Sequence, residues 1–435
     1  MAEQPAVLRT LLGWGQGEVS NVGGVAVCRD GSIALTDGDA HAVLRVAVPA
    51  GGPRAAPVTA CVTAGVRWQH GRGDGAGTAA RFCFPAGLAA LHDGTLVVAD
   101  QGDRLRAVAP DGTVSTLAGD GHGTADGPGQ AAQFGFPSDV AVRTDGSVII
   151  ADLANNAVRA LVGAGRAATA ADTTVSTVAG PATNARLSHP RALAALPGGS
   201  SLVCDSGNRR VVIVSAADAD AGGAVALVAG SGASASTDGA GAAAAFEYPF
   251  SVAVDVAGTA AVADMAAGYQ QGRLVAGKST LLRLVELGSG AVRTLAIIND
   301  TDGAPATLAR NSRIAIDGNG DIVVANEDGV HLITGTGLAA GWFPWSESKW
   351  SPTRACHCRD SSLATRAAVR TVLLVATRAR LADANQHTRG GSSSRRSARL
   401  AAGAPSSLLQ SLPALPAEMW HQVLRMLPRH EIGGR

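Results

Sequence analysis

From residue 6 to about residue 340 the chain repeats one pattern of apolar and polar positions. Pairs two residues apart, such as Val25/Val27, Val140/Val142, Val252/Val254 and Ile314/Ile316, alternate with other residues, as in a strand with one buried face. A turn pair follows each: Asp30-Gly31, Asp145-Gly146, Ala257-Gly258 and Asn319-Gly320. Asp-Gly and Asn-Gly suit the positive φ angles of tight hairpins. A second alternating run comes next (Ile33/Leu35, Val148/Ile150, Ala260/Val262, Ile322/Val324), and then a third, as in "RLRAVA" (104–109) and "RRVVIVS" (209–215). A fourth has its own signature: "VSTLAG" (114–119), "VSTVAG" (175–180), "VALVAG" (225–230) and "VRTLAI" (292–297), with a looser "ACVTAG" (60–65).

One frame holds these runs. Pro85, Pro137, Pro190 and Pro249 each precede an aspartate by 15 residues: Asp100, Asp152, Asp205 and Asp264. The same frame runs from Val22 to Asp37 and from Asn311 to Asn326, giving six copies spaced 52 to 63 residues apart. Before each anchor a glycine-rich loop closes on an apolar residue: Val19, Phe82, Phe134, Leu187, Phe246 and Leu308. Four short antiparallel strands, six times over, predict an all-β chain folded as a six-bladed β-propeller. The fourth-strand signature also stands alone at the start, "LRTLLG" (8–13), while the sixth copy lacks a fourth strand. The spare strand is therefore predicted to pair near 329–334, closing the ring and hiding its edge.

The stretch "FPSDVAVRTDGSVIIADLANNAVRALV" (136–162) resembles the NHL-repeat pattern of proline, apolar strand, Asp-Gly turn and "ADxxNxxVR". The spacer "VSTLAGDGHGTADGPGQAAQFGFP" (114–137) is similar to the segments between NHL blades. The resemblance covers roughly residues 6–340. Strand-end turns and glycine-rich loops are expected to share one face, where binding residues usually sit. Candidate partner contacts there are Arg104, Asn155, Asn156, Asn208, Arg209 and Arg210, with Arg104, Arg106, Arg209 and Arg210 supplying local positive charge. Some NHL propellers bind single-stranded RNA, so that reading stays open beside a protein or peptide ligand. Against RNA, aromatic residues are 3% of the chain, and no turn pairs an aromatic with a basic cluster.

Past residue 340 the pattern stops. Residues 341–384 read as an irregular segment and an amphipathic helix, 385–411 as a flexible linker, and 412–435 as a short helix. In that last piece Leu415, Pro416, Trp420, Leu424 and Leu427 resemble the opening of an F-box. The resemblance implies a substrate-recruiting ubiquitin-ligase subunit docked on a Skp1-like adaptor; a plain amphipathic helix is the competing reading.

Composition adds limits. Net charge is +1 and charged residues are 16%, so the whole chain is no polyanion binder. Apolar residues at 46% argue against general disorder, and 55 glycines fit many tight turns. The scattered cysteines read as free thiols. The start of the chain shows no secretory pattern, and "TVLLVA" (371–376) is too short to span a bilayer. A cytoplasmic protein without membrane contact is expected, with the linker arginines leaving a nuclear destination open.

Two chemical readings need weighing. Gly272, Gly277, Lys278 and Ser279 match a phosphate loop, but "TLLRLVELG" (280–288) continues as a strand where that motif requires a helix. Six-bladed propellers also host metal-dependent lactonases and lyases, which need inward carboxylates, asparagines or histidines. The inner strands here carry alternating valine, isoleucine, leucine and alanine, and the recurring aspartates read as turn caps. No cofactor, no metal and no enzyme activity are therefore expected; the leading reading is a protein- or peptide-binding scaffold.

Overall fold

The computed structural model describes residues 5–14, 19–48, 59–165, 168–183, 186–216, 223–265, 269–270, 273–274 and 279–341. The adaptor candidates Leu415, Pro416, Trp420, Leu424 and Leu427, the tail segments, and Gly272, Gly277 and Lys278 lie outside them. All described residues belong to one compact unit, Met1–Trp345.

The chain is a six-bladed β-propeller. The inner strands are Val22–Val27, Pro85–Ala90, Pro137–Val142, Pro190–Ala195, Pro249–Val254 and Arg313–Ile316, one for each of blades 1 to 6. Each pairs antiparallel with the strand that follows its turn, so that Pro137 faces Asp152 and Pro190 faces Asp205. The last blade closes as the repeat count requires. Ala6–Gly13 runs antiparallel to Gly329–Thr334, from Val7 opposite Thr334 to Gly13 opposite Gly329. A short strand, Ile297–Asn299, covers its outer edge in parallel.

Small and branched side chains interlock between blades. Counted from the anchor, the fourth following residue is alanine in every inner strand: Ala26, Ala89, Ala141, Ala194, Ala253 and Ala315. Ala89 packs with Val140 and Val142, Ala194 with Val252 and Val254, and Ala253 with Ile314 and Ile316. The apolar pairs of the sequence pattern thus turn sideways onto the preceding blade. A methyl on one side and a branched side chain on the other let six strands crowd round one axis.

The strand-end aspartates are caps. Asp100 Oδ1 accepts the Cys83 N–H, Asp152 Oδ1 the Gly135 N–H and Asp205 Oδ1 the Ser188 N–H, all at 2.7 Å. In three blades the same carboxylate also holds a buried arginine. Arg106 bridges Asp100 (3.1 Å) and Asp74 (2.6 Å), Arg283 bridges Asp264 (3.3 Å) and Asp238 (2.9 Å), and Arg159 bridges Asp152 (2.9 Å) and Asp126. Each guanidinium lies over a loop-closing phenylalanine, Phe82, Phe246 and Phe134, at 5.2 to 5.3 Å. The loop aspartate in turn accepts from Thr116, Thr294 or Thr177 of the fourth strand. Blade 4 lacks the whole set together: Val212 replaces the arginine, Leu187 the phenylalanine and Leu227 the threonine. There Asp205 takes Arg210 instead, at 2.7 Å. Arg106, expected to add surface charge, is fully buried and paired, because a buried guanidinium needs its carboxylates.

After Met265 a two-residue ladder, Tyr269–Gln270 with Arg273–Leu274, precedes the third strand of blade 5, Thr280–Glu286. Ser279 therefore leads into a strand, so the helix a phosphate loop needs does not follow it. No helix among the described residues is long and apolar enough to cross a membrane.

Candidate functional site

Loops and strand-end turns meet on one face because they bond to each other. Asn155 Nδ2 donates to the Gly123 carbonyl (2.6 Å) and to Asp152 (2.8 Å). Asn208 Nδ2 donates to the Arg186 carbonyl (3.0 Å) and to Asp205 (2.8 Å), and Arg210 Nη2 reaches the same carbonyl (2.9 Å). Arg104 Nη1 holds the Arg72 carbonyl at 3.1 Å. The candidates therefore sit on the expected face, and these four tie loops to turns there. Asn156 and Arg209 occupy left-handed backbone at the turns, both at φ 52°.

Around the mouth of the central channel stand the residues just before each anchor, and here the backbone is strained. Phe84 (φ 55°), Phe136 (φ 52°) and His189 (φ 48°) are all left-handed. That region is a genuine outlier for bulky residues. Each is held there by the preceding blade, whose turn residue accepts its N–H: His41 Nδ1 from Phe84 (3.1 Å), Asp103 Oδ1 from Phe136 (3.0 Å) and Asn156 Oδ1 from His189 (2.8 Å). Asn156 thus has a definite role: it fixes His189. In blade 4 the equivalent Arg209 has no side-chain acceptor, and Tyr248 N–H turns to Asp264 instead, at 2.8 Å.

The result is an aromatic and imidazole crescent over blades 1 to 4. Trp68, Phe84 and Phe136 are 59%, 47% and 50% exposed. His41 stacks edge-on against Phe84 with ring centroids 4.7 Å apart and against His70 at 5.8 Å. His122 lies 5.7 Å from the Phe136 ring and 3.5 Å from Asp103. Burial, and then the neighbouring His70, push the His41 imidazole below its ordinary value. That agrees with Nδ1 acting as an acceptor for Phe84. Histidines that look dispersed along the chain are thus gathered on one face.

The channel itself is less apolar than the strand pattern predicts. It encloses about 260 Å³ and is lined by the alanine ring and the branched residues beside it, but also by Asp139, Ser251 and Arg313. These stand two residues past the anchors, where other blades have Gly24, Gly87 and Ala192. Asp139 accepts the Val140 and Leu193 N–H groups at 3.0 Å each. Gly87 exists for this carboxylate: a Cβ on it would lie 2.0 Å from Asp139 Oδ1. Burial pushes the Asp139 carboxyl up to about 6, against the pull of its N–H donors and Arg313. Among the described residues no group of three or more His, Cys, Asp or Glu is placed to hold a metal ion.

No protein-family model and no curated protein matches the chain. Its fold is found in solved structures. It is similar to an auxiliary nutrient binding protein from Bacteroides ovatus (12% identity, TM-score 0.52, 76% of this chain and 76% of that one). It is also similar to a gluconolactonase from Xanthomonas campestris (15% identity, TM-score 0.49, 75% and 89%). A streptogramin B lyase is a third (10% identity, TM-score 0.47, 76% and 98%). The expectation of no enzyme activity does not stand, because its premise fails: it rested on purely apolar inner strands, and Asp139, Ser251 and Arg313 break that repeat in the channel lining.

Proposed function

We propose that this propeller, read as an NHL-type scaffold, is a recognition module that takes a protein or peptide segment on its loop-rich face. The observation that carries the reading is the left-handed backbone at Phe84, Phe136 and His189, each locked by a neighbouring blade. Such conformations cost on the order of 1–3 kcal/mol apiece and persist at sites whose geometry matters. They hold large aromatic side chains in the open, and buried aromatics are what anchor protein partners. The imidazoles of His70 and His122 supply polar contacts between them.

The test is peptide selection by display on the full chain, followed by affinity measurement with a Phe84→Ser/Phe136→Ser double variant. Both side chains are exposed, so the variant should fold and melt close to wild type. Selected peptides should lose at least tenfold in affinity. Equal binding by a folded double variant would end the proposal.

A further inference from the structure

Three buried arginines of this chain are each held by carboxylates, and Arg313 is not. Arg106, Arg159 and Arg283 each contact two aspartates, whereas no carboxylate lies within ion-pair distance of Arg313 or Arg191 among the described residues. Arg313 is only 9% exposed, and its Nε, like that of the carboxylate-paired Arg106 and Arg283, is buried with no hydrogen-bond partner. The Arg313 guanidinium donates from Nη1 to the Phe250 carbonyl at 2.9 Å and lies over the Phe250 ring at 5.4 Å. Arg313 of blade 6 lines the channel together with Asp139 of blade 3, and the positive charge of Arg191, on blade 4, acts on it. A guanidinium so placed, facing a like charge and with only the more distant Asp139 to oppose it, favours a further anion.

We propose that the central channel binds a small organic monocarboxylate, its carboxylate on the Arg313 and Arg191 guanidinium groups and its apolar part along the alanine ring. Guanidinium offers the paired N–H donors that a carboxylate accepts. Ser251 lies beside Arg313 in the channel wall, and its Oγ, which accepts the Ile314 N–H at 3.2 Å, retains a proton to donate. The charge is limited to one by Asp139 across the same channel, which disfavours a dianion such as phosphate. The walls are limited to apolar matter by Ala26, Ala89, Ala141, Ala194, Ala253 and Ala315, and the size by the 260 Å³ of the cavity. In keeping with an incomplete site, burial and then Arg191 lower the Arg313 pKa to about 10, which a bound anion would raise. The channel residues form no part of the aromatic crescent, so this inference stands apart from the loop-face reading.

Calorimetric titration of the full chain with hexanoate, hexanamide and inorganic phosphate tests it. Hexanoate should bind and its neutral amide should not, with phosphate weaker than hexanoate. Arg313→Met should lose at least tenfold in hexanoate affinity, and Asp139→Asn should gain severalfold by removing the opposing charge. Arg45→Gln, on the outer surface, should bind as wild type does. If Arg313→Met does not fold, Arg191→Met and Asp139→Asn carry the same test with opposite signs. Equal binding of hexanoate and hexanamide, tighter binding of phosphate, or unchanged affinity in the folded variants would each overturn the proposal.

Discussion

Replacing Arg159 with valine copies into blade 3 the residue that blade 4 carries at the equivalent position, Val212. The substitution leaves Asp152 fully buried, with the Gly135 N–H (2.7 Å) and Asn155 Nδ2 (2.8 Å) but without the guanidinium at 2.9 Å. Removing one partner of a buried ion pair costs about 3–5 kcal/mol. The two surviving hydrogen bonds place the expected loss near the lower end, about 3 kcal/mol. Asp126, 43% exposed, adds no more than about 1 kcal/mol, because solvent screens exposed pairs. Blade 4 also supplies the remedy. Ala157 occupies the position of Arg210, opposite the strand-end aspartate in both blades, and Arg104 shows that blade 2 accommodates an arginine there as well. Ala157→Arg added to Arg159→Val should therefore recover about half the loss, since a pair at a partly exposed position contributes less than a fully buried one. Equilibrium urea denaturation, followed by circular dichroism, measures both steps. The deficit should also shrink as the pH falls. Burial raises the Asp152 carboxyl above its ordinary value, and the folded variant relieves its unpaired charge by taking up a proton. A loss under about 1 kcal/mol, or no recovery in the double variant, would refute the view that these arginines neutralise the caps.

Three further outcomes are expected. The Asp139 carboxyl sits at about 6 in the fold against an ordinary 3.8, so the folded state binds that proton more tightly and loses stability as pH rises between the two values. Melting curves should show Asp139→Asn gaining on wild type over that window; a constant difference would contradict the assignment. Deleting residues 1–13 removes the strand paired with Gly329–Thr334 and should lower the melting temperature or cause aggregation, read by scanning calorimetry and light scattering. Native thiol titration should modify exposed Cys61 quickly and leave buried Cys28 and Cys204 untouched, their thiols pushed up by burial; fast labelling of Cys204 would show that blade 4 opens.

The blade count, the strand frame, the capping aspartates and the closure by residues 6–13 were legible because period-two patterns and turn pairs report local geometry. The arginine sets were written in the sequence too, as the joint loss of arginine, phenylalanine, threonine and loop aspartate in blade 4, but only register shows that those four residues touch. Asp139 and Arg313 lie outside the apolar code, which occupies the third and fifth residues past each anchor, whereas they stand at the second. Comparing that position across all six copies would have exposed them. The crescent left a fainter trace: His70 and His122 each precede their loop-closing phenylalanine by twelve residues. Its strained backbone was invisible, since left-handed Phe84 and Phe136 depend on side chains from the preceding blade rather than on their own propensity.

The central claim is that ligands meet the loop-rich face at the aromatic crescent, and hydroxyl-radical footprinting of the full chain with a display-selected peptide tests it most directly. Protection should appear at Trp68, Phe84, His122, Phe136 and His189, and not on the opposite face at the Asp93-Gly94 and Asp145-Gly146 turns. Protection of those hairpin turns with the crescent left fully reactive would contradict the account.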